Sequence, residues 1–343
     1  MSRRPIASDL ENKPLDPLLK EKLQLTLKAR EFSKELGLNP KKTFLSYSDL
    51  KNMPTIWVVT AAEKFKLKPY LWDFPVVGAL PYKGFFNKED AESELQRLKE
   101  KGYDVSLRTT AAFSSLGWFD DPIMPSTLSL PPMYLFNTVI HEITHTSLWI
   151  PEHVSFNETM ANTLGYLATA EYFSRGEDID KALKAKEELY RECKTAQLFN
   201  SAHNSLHALY ESSVEEAKKE EDKSEIFNVL SRKIEALTGT VKREEGQNTK
   251  SSSISLNNAS FLAYYTYLEN FDLFLTLFLM KNSIKEYYKA LTELANSAKV
   301  EEPFEALKSY LKKSAYEINK ETEFCSVVVS RFERISKPSN IDK

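Results

Sequence analysis

The chain has 343 residues, 42% hydrophobic and 28% charged, enough for a sizeable core and for about two domains on a ~150-residue scale. A count of 46 basic against 49 acidic side chains leaves a net charge of −3, which gives no electrostatic reason for nucleic acid or an anionic membrane as partner. Nine glycines exclude a Gly-rich chain, and two cysteines far apart, Cys193 and Cys325, exclude a disulfide framework or a Cys-rich zinc module.

From Leu15 to Leu36 apolar residues recur at three and four, which predicts an amphipathic helix stopped by Gly37. Between Lys42 and Pro131, the runs Thr55–Thr60, Phe74–Val77 and Tyr103–Leu107 predict strands, with a helix at Lys88–Lys101 ended by Gly102. Pro131 and Pro132 then open a helical pattern from Tyr134 to Ile150. Further helices are predicted at Phe156–Phe173, Asp178–Tyr210, Val214–Leu237, Leu256–Lys281, Ile284–Ala298 and Pro303–Lys320, with a polar loop over 240–255. The most apolar run, Phe271–Met280, is about half the ~18 residues of a membrane span and reads as a buried helix. The N-terminus shows no signal peptide, so the chain as written reads as cytoplasmic. The expected fold class is α+β: a small sheet-containing part over residues 1–133 and a large helical part over 134–343, or one continuous domain.

Residues 141–145 read His141-Glu142-Ile143-Thr144-His145. Two histidines four apart share one helix face and can hold one metal ion, with the glutamate beside it as general base. The bland alternative is a pair of core-facing histidines. A hydrolytic zinc site needs a third protein ligand. His153 lies eight residues after His145, the wrong spacing for the extended three-histidine motif, and Pro151 and Leu148 stand where that motif needs other residues. Glu158, thirteen residues after His145, is the better ligand, with Asn162 one turn on as a supporting partner. Ser155-Phe156-Asn157-Glu158 also matches a capping box, which would use the glutamate only to cap its own helix. A second pair, His203 and His207, lacks both the following acid and a third ligand and reads as helix packing.

These motifs stand among others: Ser46-Tyr47, Trp57-Val58-Val59, Phe74-Pro75-Val76-Val77-Gly78, Tyr82-Lys83-Gly84-Phe85-Phe86, Gly102-Tyr103-Asp104-Val105, and residues 114–122 (SSLGWFDDP). With the zinc helix and Phe156-Asn157-Glu158, they make the chain resemble the bacterial family of predicted aminopeptidases, a zincin type with a glutamate third ligand. The resemblance implies a zinc cofactor held by His141, His145 and Glu158, with Glu142 as base. It also draws attention to Asn257-Asn258-Ala259 and to Thr266-Tyr267. Tyr267 is the oxyanion-donor candidate, against its use as one member of an aromatic helix face. Two cysteines of the family pattern are replaced here by Asp73 and Ala79, which weakens the case for an oxidising compartment. The usual Gly-Asp before the third ligand is Glu152-His153. The family usually begins with an export segment, so either this member is cytoplasmic, or its start is truncated and it belongs to the cell envelope.

The expected activity is zinc-dependent peptide hydrolysis by an aminopeptidase, with a peptide substrate and Trp57–Phe86 as a wall for backbone edge pairing. A zinc endopeptidase and a non-catalytic peptide-binding scaffold are the alternatives. Glu63, Asp73, Asp120 and Asp121 are acids available for the substrate's amino group, though sequence assigns none of them and gives no oligomeric state.

Overall fold

The computed structural model describes residues 3–48, 56–74, 78–110, 120–239, 256–297, 302–313 and 324–332. Strand β1 (Arg3–Pro5) leads into α1 (Ile6–Asn12) and α2 (Pro17–Glu35), followed by β2 (Ser46–Ser48). Asp16 starts α2 by accepting the Leu18 and Leu19 N–H groups. Next come β3 (Ile56–Ala62), β4 (Trp72–Phe74), β5 (Gly78–Leu80), β6 (Lys83–Phe85), α3 (Lys88–Glu100) and β7 (Asp104–Thr110). The rest is helical: α4 (Pro125–Leu128), α5 (Pro132–Ser147), α6 (Val154–Ser174), α7 (Ile179–Glu211), α8 (Glu216–Thr238) and α9 (Asn258–Tyr265). Then follow α10 (Phe271–Leu279), α11 (Ile284–Ser297), α12 (Pro303–Lys313) and α13 (Phe324–Ser330). The α+β class with a large helical part holds.

The helix expected over Leu256–Lys281 is two helices. Thr266–Asn270 breaks it, with Asn270 in the left-handed region at φ 54, a conformation asparagine tolerates better than most residues. Apolar residues continue through the break, so periodicity does not register it. The polar stretch 240–255, Thr55, 75–77, 114–119 and 314–320 fall outside the described residues. No helix among the described residues is long and apolar enough to cross a membrane.

The chain divides into two compact units: Met1–Met53, Ala112–Cys193 and Asn270–Lys343 in the first, Pro54–Ala111 and Lys194–Glu269 in the second. Each is assembled from separated stretches, a division that the composition shift near residue 133 does not register.

In the second unit, β3 is the central strand of an antiparallel sheet ordered β6-β3-β7. Among the described residues its edges are β6 and β7, and β6 lies inside the Trp57–Phe86 stretch. Val59, Ala61, Trp72, Ala91 and Leu98 form its core. Asp73 faces Ala79 across the β4–β5 ladder. Asn257 and Asn258 serve structure. Asn257 forms a capping box with Ser260, and Asn258 Nδ2 donates to the carbonyls of Glu63, Lys64 and Lys66. Tyr210 and Asp104 complete that lock: the Tyr210 hydroxyl donates to Asn258 Oδ1 and the Asn258 N–H donates to Asp104, which also binds buried Lys223 at 2.7 Å.

Glu94 ties α3 to β4 by accepting the Trp72 indole N–H at 2.7 Å and pairing with Arg97. The Arg97 hydrogen bond outweighs burial and, with Trp72, holds its pKa down at about 2. A depressed carboxylate contributes stability that is complete above its ordinary value of 4.5 and is lost as pH falls towards 2. With solvent at Arg97 discounted, Glu94→Gln should cost about 1–2 kcal/mol at pH 7. The difference from the native chain should shrink below pH 4.5, as read by denaturant unfolding at a series of pH values. An equal difference at every pH would show that charge is not the cause.

In the first unit, β1 pairs antiparallel with β2, and buried Asp9 joins Arg4, Lys13 and the Tyr47 hydroxyl. Phe32 of α2, Phe136 of α5, and Tyr172 and Phe173 of α6 pack as one aromatic cluster. Cys193 near the end of α7 in this unit and Cys325 of α13 form a disulfide, both buried. Their separation of 132 residues gave no sequence sign of the pairing.

Candidate metal centre

Pro131 and Pro132 begin α5, where missing N–H groups cost nothing and the fixed φ favours the first turn. Leu135, Phe136, Val139, Ile140 and Ile143 are fully buried and hold the helix by its apolar face. The opposite face carries His141, Glu142 and His145.

Helix α6 returns beside α5 through the turn at 148–153. Each residue of Phe156-Asn157-Glu158 has a separate task. Phe156 is buried between Phe274 of α10 and Phe304 of α12. Asn157, fully buried, accepts the Ile150 N–H at 2.9 Å and donates to the Ile150 carbonyl at 2.7 Å, so it pins the turn to the helix. Glu158 is thereby aimed at α5. One turn of the pair relies on Gly165: a Cβ there would stand 3.0 Å from Asn137 Oδ1 and 3.3 Å from the Asn137 carbonyl, so the missing side chain lets α5 and α6 approach.

Glu158 Oε2 lies 3.2 Å from His141 Nε2 and 3.5 Å from His145 Nε2, and the two ring nitrogens are 3.1 Å apart. Three ligands of a tetrahedral ion at about 2.0–2.1 Å stand about 3.3 Å from one another, so each edge of this triangle suits a first-row metal. Two imidazole nitrogens facing each other at 3.1 Å repel unless a proton or cation lies between them. Electrostatics agree. Burial opposes charge on His145, but the Glu158 carboxylate outweighs it and raises its pKa. Burial likewise opposes charge on Glu158, and the two imidazoles reverse that and lower its pKa. His141, His145 and Glu158 are thus placed to bind a metal ion.

The capping-box alternative for Glu158 fails, because α6 begins at Val154 with His153 as its uncapped N-cap. Glu142 Oε2 and His145 Nδ1 are buried without a hydrogen-bond partner among the described residues. Asn162 Nδ2 donates to Glu192 Oε1 at 2.8 Å, a carboxylate that sequence reasoning missed. Tyr267 sits in the turn after α9, in the second unit. His203 stacks on Tyr265 at 4.5 Å with His207 one turn on, as helix packing requires. Among the acids available for an amino group, Glu63 pairs with Lys66 and Lys68, and exposed Asp120 stands 3.8 Å from Lys42.

The chain is a mainly helical α+β protein with a His-His-Glu cluster placed to hold a metal ion. The family model described as "Putative aminopeptidase" matches residues 1–307. The chain belongs to that family. No curated protein and no solved structure matches it.

Proposed function

We propose that this chain is a zinc-dependent aminopeptidase. The observation that carries the reading is the convergence of His141, His145 and Glu158 beside a glutamate with a free buried oxygen. When bound, zinc supplies a Lewis acid for the scissile carbonyl and lowers the pKa of water. Glu142, next to His141 on α5, takes the proton of the attacking water at Oε2 and passes it to the leaving amine. The three ligands hold their positions through Asn157, Phe156 and the close α5–α6 approach at Gly165. Tyr267 remains the oxyanion-donor candidate by resemblance, and Tyr267→Phe with unchanged metal content isolates its hydroxyl. A non-catalytic scaffold fits less well, since it has no use for Glu142 in this position.

Metal content by mass spectrometry decides the ligand set. The native chain should hold one zinc, and Glu158→Ala should lose it or bind it more weakly by a larger factor than the ~10–100-fold that changing an outer partner of a ligand costs. Release of free amino acids from unblocked peptides by the loaded native chain should accompany this. A native chain that retains no zinc after reloading would sink the reading. We also infer an oxidising compartment in place of the cytoplasm, because the Cys193–Cys325 disulfide persists only where thiols are not kept reduced.

A further inference from the structure

An imidazole that gives one ring nitrogen to a metal carries its proton on the other. That N–H ordinarily donates to a carboxylate, a carbonyl or water, which fixes the ring's rotation and its tautomer. His145 directs Nε2 at its fellow ligands, 3.1 Å from His141 Nε2 and 3.5 Å from Glu158 Oε2. Its Nδ1 is buried, in a side chain only 2% exposed, and no described residue bonds it. A buried N–H without an acceptor is costly, and a ring with nothing to fix its rotation is a poor ligand.

The chain just after α5 supplies a contact that can set this ring. The helix ends at Ser147, Leu148 is extended at φ −147 and ψ 121, and Trp149 follows in the turn. Its indole stands edge to face with the His145 imidazole, centroids 5.4 Å apart and planes at 74°, inside the ~4.5–7 Å range of such pairs. Among the described residues, the other ring beside His145 is that of His141, at 4.7 Å, itself a ligand. The backbone on both sides of Trp149 is held. The Leu148 N–H closes the last helical turn on the Thr144 carbonyl, and fully buried Asn157 bonds both the N–H and the carbonyl of Ile150. The clamp that aims Glu158 therefore also fixes the residue packed on His145.

We propose that Trp149 is a positioning residue for the metal: its π face receives the Nδ1–H of His145, in place of the usual carboxylate or carbonyl, and keeps Nε2 turned to Glu158 and His141. The face of an indole is electron-rich, and an N–H directed at it makes a weak hydrogen bond. A carboxylate in that place would make the imidazole a more basic ligand. The indole fixes the ring's direction without adding a charge. The inference rests on the metal-binding part of the proposed function and does not require hydrolysis.

Imidazole NMR of the zinc-loaded native chain, labelled with nitrogen-15 histidine, reads the bond directly, and five histidines keep the spectrum simple. The His145 Nδ1 proton should resonate upfield of an ordinary imidazole N–H, because a proton over an indole face is shielded by the ring current. Trp149→Leu should abolish that shift and weaken zinc binding ~10–100-fold, the usual effect of losing an outer partner of a ligand. The metal-free variant should keep nearly the native urea midpoint, since the indole is only half-buried. Trp149→Phe, which retains an aromatic face, should preserve most of the zinc affinity and some of the shift. A native Nδ1 proton far downfield, as a carboxylate or carbonyl acceptor produces, would overturn the proposal even if Trp149→Leu failed to fold. Native zinc affinity in a folded Trp149→Leu would overturn it too. Failure of the wider reading looks different: a native chain that takes up no zinc removes both, while zinc uptake without hydrolysis keeps the role of Trp149 and removes only the peptidase.

Discussion

Exchanging Glu142 for glutamine should reduce peptide hydrolysis by ~10²–10⁴-fold, the range a positioned general base contributes, while zinc content stays that of the native chain. The substitution keeps the side chain's volume and shape. It replaces the oxygen that accepts the proton, or its twin, by an amide that cannot take one near neutral pH. Glu142 Oε2 has no protein partner among the described residues to lose, so folding has little reason to respond. Glu142 is also absent from the triangle of ligand atoms, so the metal has no reason to leave. Steady-state rates on an unblocked dipeptide, taken beside metal analysis of the same samples, check both halves. Full activity in the variant would remove Glu142 from the chemistry and send the search for a base elsewhere. Zinc loss in the variant would instead mark Glu142 as part of the binding shell.

Much of this site was legible because it is local. His141 and His145 announce themselves by a four-residue spacing on a patterned helix, and Glu158 follows at a distance a single turn can span. The geometry decided the one local ambiguity. Ser155 does not cap α6, since the helix begins a residue earlier, and the glutamate is therefore free to face the histidines. The turn that joins the two helices carries a conformation that spacing does not report: Glu152 is left-handed at φ 66, which costs a non-glycine residue about 1–2 kcal/mol.

What sequence could not show depends on distant partners. Glu192 is one of many charged residues along a long helix, and nothing nearby distinguishes it from a solvated glutamate. Only the packing of α7 against α5 and α6 brings it to Asn162. Asn258 looked functional because of its motif, yet its amide closes hydrogen bonds to three carbonyls around residues 63–66. The break at Asn270 was hidden for a different reason: hydrophobic periodicity reports which face is buried, and burial continues across the turn from α9 to α10.

Reduction of the Cys193–Cys325 disulfide should destabilise the protein by ~2–5 kcal/mol. The bond closes a loop of 132 residues, for which loop-closure entropy alone gives about 5 kcal/mol at 25 °C, and measured losses usually fall between about 2 and 4. Both sulfurs are buried, Cys193 at 1% exposure and Cys325 at 0%, so the bond also anchors the short helix α13 beside α7 inside the first unit. Seven residues are too few for a helix to be stable alone, which makes α13 the segment most dependent on this link. Urea titrations with and without a phosphine reductant should give midpoints well apart for the native chain. The Cys193→Ser/Cys325→Ser variant should unfold like the reduced native chain and ignore the reductant. Coincident native midpoints, with thiol titration counting two free cysteines only after reduction, would show that packing around α13 holds without the bond. A native chain that already titrates two thiols before reduction would remove the disulfide itself, and with it the argument for an oxidising compartment.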